Sequence, residues 1–189
     1  RSIKMKKIFF ILFFFVFLSN HSYGAVKEKI IENFNNIKNL NFNFIQTING
    51  KDEVGNCTID YPGKIYCKYK LNSQKIMVSN GNSLVIKNSK NKQYYRYPLE
   101  STPLIFLLDK KFLINKIKNL KGKTINNKYF VFSITDTKNK INIYFDKKNY
   151  NLVGWQTEDI YQNLVVTFIS DLKINNKVDK KIFNLPKMF

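Results

Sequence analysis

Between residues 42 and 171 apolar side chains recur at every second position, in short runs broken by Asn, Gly and Asp. Phe42, Phe44, Gln46 and Ile48 alternate with Asn43, Ile45 and Thr47, and Gly50 ends the run. Cys57, Ile59 and Tyr61 are followed, across Pro62-Gly63, by Ile65, Cys67 and Tyr69. A period of two marks strands with one buried face. Asn80-Gly81-Asn82, between the runs at 75–79 and 84–87, is a strong hairpin signal. Further runs fall at 93–97, 129–135, 141–145, 152–158 and 163–171, separated by turns at 88–91, 136–140, 146–149 and 159–162. Such short turns cannot hold a crossover helix, so consecutive strands must pair antiparallel.

Two segments keep a different period. Val26, Ile30, Ile31, Phe34, Ile37 and Leu40 fall at helical spacing, with Lys27, Glu28, Glu32 and Lys38 on the other face. This predicts an amphipathic helix over 26–40. Residues 98–103 break the strand pattern between two prolines; 104–108 are wholly apolar, and Phe112, Leu113, Ile117 and Leu120 continue at helical spacing. One or two helices inserted in the sheet are expected there. The fold class is therefore mainly β with helices (α+β): one curved antiparallel sheet with an N-terminal helix and a mid-chain helical insert. No internal repeat or long linker interrupts it.

Residues 1–24 stand apart. Lys6 and Lys7 precede an unbroken apolar run, IFFILFFFVFL, at 8–18. It falls short of the about 20 residues that a spanning helix needs, which disfavours an uncleaved anchor. It suits the apolar region of a secretory signal peptide. Ser22 and Gly24 put small residues where a signal peptidase reads, so cleavage is expected after Gly24, with residues 1–4 preceding the start at Met5. No cysteine follows the run to take a lipid anchor. The expected working protein is a single exported domain, residues 25–189.

The formal charge of the chain is +19; positions 1–24 hold four basic residues and no acid, so the exported part keeps +15. Such a balance suits nucleic acid or an anionic membrane surface. The lysines are nonetheless scattered among abundant Asn and Ile, which makes a solvated basic surface an equally good reading, and export argues against nucleic acid.

The two cysteines, Cys57 and Cys67, flank the Pro62-Gly63 turn. A three-residue loop would set them opposite each other on one face, and a two-residue loop would point them to opposite faces. An oxidising compartment favours a disulfide. Its short loop would bring less than the usual gain of about 2–4 kcal/mol. The alternative is a pair of small buried apolar side chains.

The only histidine, His21, lies in the leader. The exported domain thus has no imidazole for a Ser-His-Asp or Cys-His nucleophile or for most zinc sites. Phosphate-loop, dinucleotide and nucleophile-elbow motifs are absent. The adjacent carboxylates Asp52-Glu53 and Glu158-Asp159 abut turns and, as strand neighbours, would point to opposite faces. An enzyme is not expected, and no metal or cofactor is called for. Aromatics make up 15% of residues, many alternating along strands, which fits either an ordinary β core or an apolar ligand cavity.

The order of motifs resembles the periplasmic carriers of outer-membrane lipoproteins, the LolA family. The resemblance rests on NFNFIQT at 41–47, Gly55 leading into YPGKI at 61–65, IMVSNGNSL at 76–84, TPLIFLL at 102–108, and Asp179, Phe183 and Pro186 at the end. It implies a half-closed antiparallel barrel under a lid of helices, acting as a monomer without a cofactor. Its concave face would hold the acyl chains of lipoproteins. Cargo would come from an ABC-type exporter at the inner membrane and go to an acceptor on the outer membrane. Carried over by position, Ile65, Leu107 and Trp155 would face the cavity, joined by Phe42 and Phe44; Tyr61, Leu104 and Phe106 would contact the lid. One departure stands out: the family often has Arg before the Pro-Gly turn, hydrogen-bonded to the lid, where this chain has Tyr61. A phenol donates one hydrogen bond and lacks the guanidinium fork. The same half-barrel occurs in envelope-stress regulators that sense lipid, which is the alternative reading; an envelope hydrolase is a more distant one, with Glu158 and Asp159 as its first candidates.

Overall fold

The computed structural model describes residues 21–70, 74–136, 139–159 and 162–188. Most of the leader therefore lies outside the described residues. Helix α1 (His21–Asn35) leads into β1 (Asn39–Ile48), β2 (Lys51–Asp60), β3 (Lys64–Tyr69), β4 (Lys75–Asn80), β5 (Ser83–Asn88) and β6 (Gln93–Pro98). A 3-10 turn (Leu99–Ser101) and two helices, α2 (Ile105–Leu108) and α3 (Lys110–Asn119), follow. The chain then forms β7 (Lys123–Ile125), β8 (Tyr129–Thr135), β9 (Lys140–Asp146), β10 (Leu152–Glu158) and β11 (Leu164–Ile174) and ends past a second 3-10 turn, Lys180–Phe183.

All eleven strands form one antiparallel sheet in the order β6-β5-β4-β3-β2-β1-β11-β10-β9-β8-β7. The chain thus runs outward from β1 to one edge, crosses through α2 and α3 to the opposite edge, and returns to pair β11 with β1. Because the edges β6 and β7 do not pair, the sheet curls into an open half-barrel, and the crossing helices cover its hollow as a lid.

The period of two explains how one face fills. The register places Phe42, Cys57, Cys67, Met77 and Ile86 in one row and Leu40, Ile59, Ile65, Ser79 and Leu84 in the next. On the other half, Thr167, Trp155, Ile143 and Phe132 share a row. The apolar members of these rows join Ile30 and Phe34 of α1 and Leu113 and Ile117 of α3 in a single cluster, with Ile86 half-buried against it. The opposite face is covered only in part. There the C-terminal 3-10 turn packs on β3 and β4, burying Phe183, while Lys180 pairs with Asp60.

The structure differs from the sequence reading at the end of α1 and at β7, and it settles the helical insert as two helices. Helix α1 stops at Asn35, and Leu40 already belongs to β1, pairing with Ile59 and Ile174. Leu40 fits both the helical spacing from Ile37 and the period of two that continues at Phe42 and Phe44, so spacing alone extended the helix too far. Strand β7 has the pattern Lys-Thr-Ile with no buried residue, which is too short and polar to show a period. The helical insert is divided at Asp109, whose carboxylate accepts the Phe112 N–H at 3.0 Å and caps α3.

Asp60 and Lys64 close the β2–β3 hairpin around three residues, Tyr61-Pro62-Gly63. Cys57 and Cys67 therefore face each other directly and form a disulfide.

Candidate ligand cavity

An open cavity of about 760 Å³ lies in the covered face. One wall comes from β4 and β5 through Met77, Leu84 and Ile86, and another from Val165 at the start of β11. Tyr97 of β6 and the lid linker, from Ser101 to Leu104, close over it. Its rim is polar: Asp136, Asn139 and Lys140 stand at the β8–β9 turn, and Glu158 and Asp159 at the β10–β11 turn. Pockets that enclose a small ligand commonly span about 300–1,000 Å³ and combine apolar walls with a few polar groups. This one is apolar in its depth and charged at its mouth, the arrangement that suits an amphiphile.

None of the residues read from the sequence as cavity-facing lines this volume: Phe42, Phe44, Ile65 and Trp155 lie elsewhere on the same sheet face, and Leu107 lies on α2. Phe42, Phe44, Ile65, Leu107 and Trp155 are all buried and packed against one another and the helices. Phe42 and Trp155 meet edge to face at 6.1 Å, and Phe44 meets Tyr69 in the same manner at 5.0 Å. The open volume is bounded by a different set. Met77, Leu84 and Ile86 carry the same alternating signal as Phe42 and Phe44, and only strand register tells which members of a row sit under the helices. Val165 likewise follows from alternation in β11.

The lid residues divide among three roles. Leu104 lines the cavity. Phe106 is buried and stacks on Phe112 at 5.4 Å, joining α2 to α3. Tyr61 packs edge to face on Phe34 of α1 at 5.6 Å. Its enclosed hydroxyl makes no hydrogen bond, and burial pushes the phenol far above its ordinary pKa. Tyr61 therefore supplies ring contacts and no polar latch. The lid is held instead by the Gly63 N–H, which donates to the Leu108 carbonyl at 3.0 Å. A second tie runs from the lid: the Lys110 ammonium donates to the carbonyls of Asn35 at 3.0 Å and Ile37 at 2.7 Å. These lie just past the end of α1, where free carbonyls favour a cation. Partial burial lowers the Lys110 pKa.

Three of the four adjacent carboxylates are engaged by neighbouring groups. Asp159 accepts from the Asn163 backbone at 2.8 Å and from its side-chain amide at 2.9 Å. Asp52 accepts the Thr47 hydroxyl, and Glu53 pairs with Lys75. Among the described residues no group of His, Cys, Asp or Glu is placed to hold a metal ion. None of their helices is long and apolar enough to cross a membrane.

Fold and cavity define a lidded half-barrel with an apolar hollow. The family model described as outer membrane lipoprotein carrier protein LolA matches residues 35–186, and the chain belongs to that family. Among solved structures, a putative outer membrane lipoprotein-sorting protein domain from Vibrio parahaemolyticus aligns with 10% identity and a TM-score of 0.50, covering 85% of this chain and 95% of that one. A LolA superfamily protein from Nitrosomonas europaea aligns with 11% identity and a TM-score of 0.47, over 86% and 97% of the two chains. The MucA/MucB complex of Pseudomonas aeruginosa aligns with 8% identity and a TM-score of 0.45, over 86% and 60%. No curated protein matches the sequence. The family is one of binding and carriage in the periplasm.

Proposed function

We propose that this chain is a carrier of lipoproteins. It takes the acyl chains of lipoproteins released at the inner membrane by an ABC-type exporter, holds them in the covered face of the half-barrel, and yields them to an acceptor on the outer membrane. The observation that carries this reading is the cavity of about 760 Å³ with Met77, Leu84, Ile86, Leu104 and Val165 in its walls. Each acyl CH₂ exposed to water costs about 0.8 kcal/mol, so a lipidated protein needs such an enclosure to cross an aqueous compartment. Beside it, Phe42, Phe44, Ile65 and Trp155 of the sheet pack with Leu107 of α2 in the buried cluster. Carriage requires binding and release alone, with no catalytic step by this chain.

The working form begins at Ala25 and acts in the periplasm as a monomer. Loss of residues up to Gly24 would leave Val26, Ile30 and Phe34, the inward residues of α1, in place. The Cys57–Cys67 disulfide agrees with an oxidising compartment.

The test is direct. The processed protein is mixed with a triacylated lipoprotein in detergent, the detergent is removed, and the soluble fraction is analysed. A soluble one-to-one complex is expected. Precipitation of all the lipoprotein, with the protein itself folded and alone in solution, would defeat the reading.

A further inference from the structure

Positive charge is dense on the lid helix α3 and the segment that follows it. The segment at 110–128, KKFLINKIKNLKGKTINNK, holds seven lysines and no carboxylate. It comprises α3, the linker after it, β7 and the turn that follows. The inner side of α3 is apolar, with Leu113, Ile114 and Ile117 buried, while Lys111, Lys116, Lys118, Lys121, Lys123 and Lys128 are all exposed. The fold adds more cations beside them. Lys27 of α1 donates to the Lys118 carbonyl at 2.8 Å, and the β9–β10 turn is brought alongside by Lys147, which bonds to Lys128 and Asn127. The acids near this face are few: Glu28 and Glu32 on α1, Asp109, which caps α3, and Asp146, which caps the turn after β9.

Helix stability does not account for this pattern. Lys116 and Lys118 sit in the last turn of α3, where the macrodipole favours cations. Lys111 sits in the first turn, where a cation is unfavourable and an acid would be the stabilising choice, yet that turn holds no acid. Lys121, Lys123 and Lys128 lie beyond the helix. A bias toward lysine in the whole chain does not account for it either, because the same chain places Asp52, Glu53, Asp136, Glu158 and Asp159 toward the other end of the sheet.

We infer that the outer face of the lid docks on an anionic phospholipid surface. Charge complementarity selects the partner. Lysines spread over a helix, a linker and a turn fit a fluid sheet of headgroups better than a fixed protein epitope. Ile125, 40% exposed among them, supplies an apolar side chain that can enter the interface. A lysine near an anionic leaflet gains about fivefold in binding. This inference is independent of what the cavity holds.

The experiment is sedimentation of the processed protein with vesicles of phosphatidylcholine alone or mixed with phosphatidylglycerol, at low and moderate salt. Binding should require phosphatidylglycerol and fall with salt. Lys111→Gln, Lys116→Gln, Lys118→Gln and Lys121→Gln together should weaken it at least about tenfold. Lys51→Gln, Lys68→Gln, Lys70→Gln and Lys90→Gln, an equal loss of charge on the other end of the sheet, should weaken it less than about threefold. Should the first variant fail to fold, Lys121→Gln with Lys123→Gln, outside the helix, gives the same contrast. Equal losses in both variants, or no preference for phosphatidylglycerol, overturns the inference. Retention on a polyglutamate column without vesicle binding overturns it in favour of an acidic protein partner. Uptake of a triacylated lipoprotein from detergent should be unchanged in the lid variants, which keeps this result separate from failure of the carrier reading.

Discussion

Two regions of the covered face are written in the same sequence pattern and end in opposite states. Around Phe42, Ile65, Leu107 and Trp155 the hollow is filled by the protein's own side chains. Around Met77, Leu84, Ile86 and Val165 it is left open. The difference lies in what stands above each. The first region lies beneath α1 and the helices of the lid, which bring Phe34, Leu113 and Ile117 into the core. The second lies beneath the turn from Ser101 to Leu104 that leads into α2, which is too short to offer an apolar helical face. Alternation makes a surface apolar; the element facing it decides whether that surface becomes core or cavity.

Substitutions sharpen this contrast, and their expected effects on stability fall in a clear order. Trp155→Glu places a carboxylate in packed core beside Phe42 and should cost about 4 kcal/mol or more, seen as loss of the thermal unfolding transition. A folded Trp155→Glu protein that merely fails to load lipoprotein would move Trp155 from the filled region to the open one. Leu107→Ala, at a fully buried position, should cost about 3 kcal/mol by denaturant titration. Replacing both Cys57 and Cys67 by Ser should cost somewhat less than about 2 kcal/mol, below the typical range for a disulfide, because the loop it closes is short.

Smaller effects come next. Lys110→Met removes two charge-assisted bonds from the lid to the end of α1 and should cost about 1 kcal/mol. The measurement is hydrogen exchange, with faster exchange expected in α3 than in β1. Unchanged protection would assign the lid's closure to the Gly63–Leu108 bond and to packing. Ile86→Glu, in the open region, should change stability by less than about 1 kcal/mol. It should nevertheless abolish formation of the soluble lipoprotein complex, since a charge in an apolar wall excludes acyl chains. A stability loss as large as that of Leu107→Ala would show that the two regions are one.

Much of the fold was legible because strands advertise themselves locally. The runs at 75–79, 84–87 and 93–97 became β4, β5 and β6 with boundaries shifted by a residue or so. Asn80-Gly81-Asn82 and the turn at 61–63 separated strands as their residue types demand. Strand β7 was not legible, since three residues with no buried member leave no period to detect. The end of α1 was misplaced because Leu40 satisfies two periods at once, helical spacing from Ile37 and alternation with Phe42 and Phe44. The site was legible only as a face. Nothing in the spacing of Met77 or Ile86 distinguishes it from that of Phe42 or Phe44, and Val165 lies far away in the chain. The acid-free run at 110–128 was present in the sequence, but whole-chain charge conceals it among lysines found everywhere.

By itself the sequence determined the class of fold, the antiparallel pairing, the helical insert and the lack of any histidine beyond residue 21. These follow from residue type and local period, which short-range sterics and solvation enforce. Tertiary structure alone decided three further matters. It chose which part of the apolar face stays open, through the placement of helix or linker above it. It tied the lid through Lys110 and Gly63 where Tyr61 offers no polar latch. It gathered the lysines of α1, α3 and two turns onto one surface. Each depends on elements distant in the chain meeting in space, and no local pattern carries that information.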